Sequence, residues 1–153
     1  MSKNLINIKN KKASYEYEFT RKFVAGIMLL GTEIKSIRNN QVNISDAYCI
    51  VAEKEIWIKN LHISEYQYGS HNNHNPTRER KLLLNKEEIS KIESKVKSKG
   101  TTIIPLRLFV NNKGRAKIEI AIAKGKKIFD KRHDLKEKDT KRDLDRIKKT
   151  FKS

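Results

Sequence analysis

The side chains in this sequence that could do chemistry are few and poorly placed for it. His71 and His74, with His62 nearby, have a spacing that could set two imidazoles on one metal ion. No Cys accompanies them, and the Asn-rich stretch around them offers little rigid support, so surface histidines are expected. Ala123-Lys124-Gly125-Lys126-Lys127 has the flavour of a phosphate loop. Walker A, however, requires a second Gly upstream and a Ser or Thr directly after the Lys. Neither is present, and the segment reads as a flexible basic hinge. Cys49 is the only cysteine; it falls in an apolar stretch where a buried, inert thiol is the default. Asp130 and Asp134 flank His133 among basic residues, but catalytic groups need a fixed geometry that such a segment does not supply. No catalytic residue, metal or other cofactor is expected, which favours a binding protein over an enzyme.

Charge says what is bound. Lys and Arg number 35 against 18 Asp and Glu, a formal net charge of +17. Such an excess opposes compaction by self-repulsion and calls for a polyanionic partner, nucleic acid or ribosome before an anionic membrane. Heavy use of Lys, Asn and Ile hints at an A/T-rich genome, which explains Lys in place of Arg but not the excess itself. Residues 124–153 hold thirteen basic and six acidic side chains, so this stretch is far more positive per residue than the rest. With no apolar run of about 18 residues, no signal-peptide pattern and a single cysteine, a soluble cytoplasmic protein is expected.

The elements that must position a binding surface are mostly strands. Tyr15, Tyr17 and Phe19 alternate with polar residues, the period of a half-buried strand. Residues 23–30 form an apolar run in which Gly26 marks a bend or a close backbone approach. Residues 47–51 and 56–61 flank Glu53-Lys54-Glu55 and predict a hairpin. Residues 101–110 and 115–123 predict a second one, with Asn111-Asn112-Lys113-Gly114 as its turn. Thr32 is the expected cap of a short helix through Ile34 and Ile37. Asn85, with Glu88 three residues on, opens a longer helix through Ile89, Ile92 and Val96, which Gly100 ends. Residues 65–80 read as a long polar loop. The fold class expected is mainly β: a small closed antiparallel barrel of about six strands, OB-like, with two or three short helices and a basic C-terminal tail. The division falls between a barrel domain, 1–123, and a tail, 124–153. In the tail Leu144, Ile147 and Phe151 form one narrow apolar stripe. Glu137 with Lys141 and Asp145 with Lys149 are favourable i,i+4 pairs. Three apolar residues hold a helix weakly, so the tail is expected to be disordered alone and helical against a charged partner.

Several blocks together resemble a known family. Asn10-Lys11-Lys12-Ala13, Ala25-Gly26-Ile27, Gly31-Thr32-Glu33-Ile34-Lys35-Ser36-Ile37-Arg38 and Asn43-Ile44-Ser45-Asp46-Ala47-Tyr48 come first. Pro76-Thr77-Arg78-Glu79-Arg80-Lys81-Leu82-Leu83-Leu84, Ala123-Lys124-Gly125-Lys126-Lys127 and Asp130-Lys131-Arg132 follow in the same order. They resemble the signatures of the SsrA-binding (SmpB) family and span nearly the whole chain. The resemblance implies a compact OB-like barrel that holds the tRNA-like domain of transfer-messenger RNA near its D-loop and elbow. It also implies a C-terminal tail that enters the decoding centre and the vacant mRNA channel of a stalled ribosome. Elongation factor Tu would join through the charged RNA, and the protein would act as a monomer away from membranes. Carried over by position, the RNA-binding candidates are Lys11, Lys12, Glu33, Lys35, Arg38, Arg80, Lys81, Leu83 and Lys117. The ribosome-engaging candidates are Lys124, Gly125, Lys126, Lys127, Asp130, Lys131 and Arg132. Lys117 also alternates with Ala116 and Ile118, which points it away from the core, and a helix-start role is an alternative for Glu33. Two positions depart from the pattern: Val24 stands where relatives are often acidic, and Tyr15 where a His is common.

Overall fold

The computed structural model describes residues 6–69 and 71–126. In chain order the elements are β1 (Asn7–Lys9), α1 (Ala13–Glu16), β2 (Tyr17–Ile27), α2 (Gly31–Arg38), β3 (Val42–Asn43) and β4 (Tyr48–Ala52). There follow β5 (Glu55–Lys59), β6 (His62–Ile63), β7 (Arg80–Leu83), α3 (Lys86–Val96), β8 (Thr101–Val110) and β9 (Ala116–Gly125). Six strands close into a ring, β8-β4-β5-β7-β2-β9 and back to β8, all antiparallel. Closure satisfies the strand edges that an open sheet would leave bare. The expected count of six therefore holds for the ring. Three short strands were not foreseen: β1 on the flank of β8, and the separate β3–β6 pair.

One edge of β8 serves two partners. Cys49 of β4 pairs with Ile103, while β1 pairs along Arg107 to Phe109. The register slips between Pro105 and Arg107. Proline cannot donate to a ladder and is tolerated at such a bulge. Asn10 bridges the break, its backbone N–H donating to Leu106 O at 2.8 Å and its Nδ2 to Pro105 O at 3.0 Å.

The ring encloses a core rich in β-branched residues. Ile56 and Ile58 of β5, Ile118, Ile120 and Ile122 of β9, Ile103 and Leu108 of β8, and Phe23 and Ala25 of β2 are all buried. Ile118, Ile120, Ile122 and Leu108 are inward positions that the sequence alternation marks, whereas Ile103 is out of phase with Leu108 because the register slips between Pro105 and Arg107. Tyr15 departs from the expected strand because Ala13–Glu16 form a helical turn, with Ala13 buried; extended structure starts only at Tyr17. From there β2 runs unbroken to Ile27, merging two strands expected separately. The β4–β5 hairpin turns through Glu53 and Lys54, both at positive φ (52° and 60°). That is the geometry Asn-Gly would adopt with less strain.

Helix α3 starts as its sequence indicates. Asn85 Oδ1 accepts from Glu88 N–H at 2.8 Å, and Glu88 Oε1 accepts from Asn85 N–H at 3.3 Å. Ile89 and Ile92 are buried where α3 packs on β8 and β9. Gly100, at φ +83°, turns the chain into β8. Replacing Asn85 with Ala should cost about 1 kcal/mol, read as a lower urea midpoint with an unchanged m-value.

Helix α2 differs from expectation. Its cap position is Leu30, not Thr32, and Glu33 reaches back to accept from Leu30 N–H at 2.8 Å. Thr32 instead bonds His74, across 42 residues of sequence.

The expected boundary at 123/124 falls inside β9. Lys124 pairs with Glu18 and Thr101, Gly125 pairs with Tyr17, and Lys126 N–H donates to Glu16 O at 2.9 Å. Gly125 is thus a strand residue rather than a hinge. The expected tail helix lies outside the described residues. Among the described residues no helix is long and apolar enough to cross a membrane.

Candidate nucleic-acid interface

One row of residues crosses the outside of the ring in register. Leu83 of β7 faces Gly26 of β2, Gly26 faces Lys117 of β9, and Lys117 faces Phe109 of β8. Partners in register point to the same side of a sheet, so Leu83 and Lys117 share a surface with a glycine between them. The glycine allows close approach: a Cβ on Gly26 would sit 3.2 Å from Leu83 Cβ, and Leu83 would have to give by a few tenths of an ångström. Leu83 is 50 % exposed, whereas Leu82 is fully buried; the leucine run thus divides between core and surface as strand alternation dictates.

Helix α2 and the β8–β9 turn complete a shallow groove of about 340 Å³ over this row. Leu30, Gly31 and Ile34 form one wall, and Arg115 and Lys117 stand on the other; no carboxylate lines it. The β8–β9 turn is held as its composition implies. Asn111 Oδ1 accepts from the N–H groups of Lys113 and Arg115, and Gly114 has φ +79°. Arg38, exposed on α2, donates to Gly114 O at 3.5 Å and ties helix to turn. An apolar floor with a cationic rim suits a sugar-phosphate backbone with an unstacked base, because lysine and arginine take phosphate while the floor takes a ring face. It contains no nucleophile or acid–base pair.

Phe109, opposite Lys117, is a surface residue outside the expected set. Arg107 lies over its ring, 4.2 Å from the centroid, and also pairs with Glu119 at 3.6 Å. Alternation marks Phe109 as outward, and an outward aromatic beside a lysine is the signal that would have found it. Val24, 51 % exposed, lies opposite Glu119 in register. A carboxylate is therefore present one strand away from position 24, engaged by Arg107.

The other candidates separate. Lys81 sits beside the groove, half-buried, with its Nζ 3.5 Å from Glu55. Lys35 is exposed on α2, over the ring of Tyr66. Lys11 and Lys12 are exposed, but at the Tyr17 end of β2, where Lys124, Gly125 and Lys126 also gather. Gly26 is nine residues along that strand, about 30 Å away if fully extended. Lys127, Asp130, Lys131 and Arg132 lie outside the described residues.

Contrary to expectation, neither Glu33 nor Arg80 is exposed to meet RNA directly. Both side chains are fully buried and pair with each other through Arg80 Nε and Glu33 Oε2. Arg80 also donates to Leu61 O at 2.7 Å and Pro76 O at 3.2 Å, and Arg78 donates to Glu33 Oε1 at 2.5 Å. Burial alone would raise the Glu33 carboxyl, but hydrogen bonds from Arg78, the Leu30 amide and Arg80 outweigh it and hold the group below its ordinary range. Burial draws the Arg80 guanidinium down, against the opposing pull of Glu33. The pair fastens the α2 start to β7 and to the loop before it, which orients the groove wall.

The histidines resolve differently from the expected surface set. His62 and His71 are exposed, but His74 is buried. Its Nε2 lies 2.8 Å from Ile63 O and its Nδ1 2.8 Å from Thr32 Oγ1. In the neutral ring Nε2–H donates to the carbonyl, and Nδ1 accepts from the threonine hydroxyl. Both nitrogens are thereby occupied, Nδ1 in holding the loop to α2 and Nε2 in holding it to β6. Cys49 is buried in β4, and burial pushes its thiol well above the ordinary range, as suits an inert core side chain.

Comparison with known proteins assigns the family. The SmpB protein family profile matches residues 7–150. The chain belongs to the SmpB family. An SsrA-binding protein from Phocaeicola vulgatus is 58 % identical, over 93 % of this chain and 95 % of that protein. One from Christiangramia forsetii is 51 % identical, over 98 % and 96 %. A solved SmpB structure, described as "tmRNA-SmpB: a journey to the center of the bacterial ribosome", superposes with a TM-score of 0.69 at 38 % identity, covering 80 % of this chain and 86 % of that one.

Proposed function

We propose that this protein binds the tRNA-like domain of transfer-messenger RNA and brings it to stalled ribosomes for trans-translation. It performs no bond chemistry of its own. The observation that carries the reading is the groove over Leu83, Gly26 and Lys117, with an apolar floor, a cationic rim and no carboxylate among its lining residues. Family membership supports the RNA partner and the ribosome. RNA lies in the groove, contacted by Leu83 and Lys117, with Arg38, Lys35 and Lys81 at its edges. Lys11 and Lys12, near the start of the tail segment, meet the RNA at a second place. Residues 127–153, with Lys127, Asp130, Lys131 and Arg132, engage the decoding centre and the vacant mRNA channel. The protein works in the cytoplasm as a monomer, and elongation factor Tu joins through the charged RNA.

The test is binding to the isolated tRNA-like domain across a salt series, with excess ordinary tRNA as competitor. Tight binding that persists against tRNA is the expected result; equal competition by any RNA would overturn it. Two substitutions then separate the forces in the groove. Lys117→Ala should flatten the plot of log K against log salt by about 0.7–0.9, one phosphate's worth. Leu83→Ala should weaken binding roughly fivefold, about 1 kcal/mol of lost apolar contact, with the slope unchanged.

A further inference from the structure

The groove uses one side of α2; beside it, at Lys35, the helix meets an aromatic site that neither the charge pattern nor the family motifs single out. Tyr68 is the most exposed large apolar side chain among the described residues, at 78 %. It stands edge-to-face on Tyr66, with centroids 5.7 Å apart and planes at 70°. Lys35 Nζ lies 5.3 Å from the Tyr66 centroid. Scattered surface aromatics are ordinary. This pair differs in being held.

The turn that presents it is built by hydrogen bonds and close packing. Asn73 clamps Tyr66 twice, with Oδ1 accepting from Tyr66 N–H at 3.2 Å and Nδ2 donating to Tyr66 O at 2.8 Å. Gly69 N–H also donates to Tyr66 O, at 2.9 Å. A Cβ on Gly69 would come within 2.5 Å of Asn73 Nδ2, so the clamp requires glycine there. His74, next in the chain, locks the loop to α2 through Thr32 and to β6 through Ile63. A loop this polar has no core of its own to organise it, yet Asn73 and Gly69 hold the turn at Tyr66 by hydrogen bonds.

We propose that Tyr66 and Tyr68 form a stacking site for one unpaired nucleotide of the same RNA that lies in the groove. The inference rests on the groove being the RNA seat. Ile34 lines the groove and Lys35 is the next residue of α2, so a strand crossing α2 meets both surfaces. A base stacks on the Tyr68 face, supported from behind by Tyr66, and Lys35 supplies the positive charge for its phosphate. Gln67, exposed between the tyrosines, offers an amide to the base edge. The turn Tyr66-Gln67-Tyr68-Gly69 carries no acid to repel the backbone.

The experiment compares the full chain with Tyr68→Ala and Tyr68→Phe for binding to the tRNA-like domain, with Leu83→Ala alongside. Tyr68→Ala should weaken binding about five- to a hundredfold without changing the salt slope, while Tyr68→Phe, which keeps the ring, stays within about twofold. Thermal unfolding of Tyr68→Ala should match the parent, given its exposure. Wild-type affinity in Tyr68→Ala would overturn the proposal. So would equal losses in Ala and Phe, which would mean a hydroxyl hydrogen bond rather than stacking. Retained RNA binding with lost tagging would also overturn it, assigning the tyrosines to ribosomal RNA. Failure of Leu83→Ala to weaken binding sinks the groove reading instead, so the two failures are distinct.

Discussion

Glu33→Ala should destabilise the fold by about 3–5 kcal/mol, the cost of leaving a buried guanidinium without its counter-charge. Arg80 is fully buried, and its remaining partners, Leu61 O and Pro76 O, are neutral. Arg80→Met should cost less, about 1–3 kcal/mol, because it leaves Glu33 Oε2 and Leu61 O without their donor while Arg78 and the Leu30 amide still hold Glu33 Oε1. Urea unfolding at pH 7 reads both. Acid titration then tests the charge itself. The folded carboxyl lies below its ordinary value of 4.5, so near and below that pH the unfolded chain binds the proton first. The contribution is fully present above pH 4.5 and is lost as pH falls through the lower folded value. Glu33→Ala should therefore show a shallower acid loss of stability than the parent. A small effect at pH 7 with an unchanged acid limb would mean that the pair contributes little. The same pair governs how RNA-binding data on these variants should be read. Any loss of affinity in Arg80→Met should come from the unfolded fraction and the displaced groove wall, and leave the salt slope of the folded protein unchanged, because Arg80 is buried.

That burial also marks where reading the sequence fails. Arg80 sits in Arg78-Glu79-Arg80-Lys81, which looks like solvated charge, and its partner is 47 residues away. Local pattern cannot reveal a pairing made by tertiary structure. Alternation does place Arg80 on the same face as Leu82, but a charged residue in an inward position reads as a strand end until its partner is known. Thr32 and His74 fail for the same reason: each looks like a local feature, a cap and a surface imidazole, and each is spent on the other. Tyr15 fails differently, since three alternating aromatics suit a strand, and the buried Ala13 draws the first of them into a helical turn.

What succeeded rests on local physics. The β8–β9 hairpin needs only Asn111 and Gly114 between alternating runs, and the register Leu108–Ile118 and Val110–Ala116 follows from that turn. The Asn85–Glu88 box needs only spacing. Lys117 and Leu83 come together because each obeys period-2 alternation on its own strand and both strands flank β2 at Gly26. The residue types were legible; that one glycine seats both required the sheet order.

The separation along β2 makes the second large prediction. Deleting residues from Lys131 onward should leave binding to the tRNA-like domain within about twofold at physiological salt, while tagging on stalled ribosomes falls to background. The deletion removes ten basic and five acidic residues, five of the seventeen net positive charges, and most of the attraction for RNA remains on the ring. At such salt the charges removed act over only about 8 Å. The ring hands the chain on at Gly125, opposite Tyr17, while Gly26 and Lys117 sit at the other end of the same two strands. A truncation beginning six residues past Gly125 leaves every described contact of the groove in place. Binding to the isolated domain and tagging in a reconstituted system should therefore dissociate. Loss of both activities would place the tail within the RNA seat and remove the division of labour that the two ends of β2 imply. Retention of both would make residues 131–153 dispensable and leave ribosome engagement to the basic residues before them, Lys124 and Lys126 among the described ones.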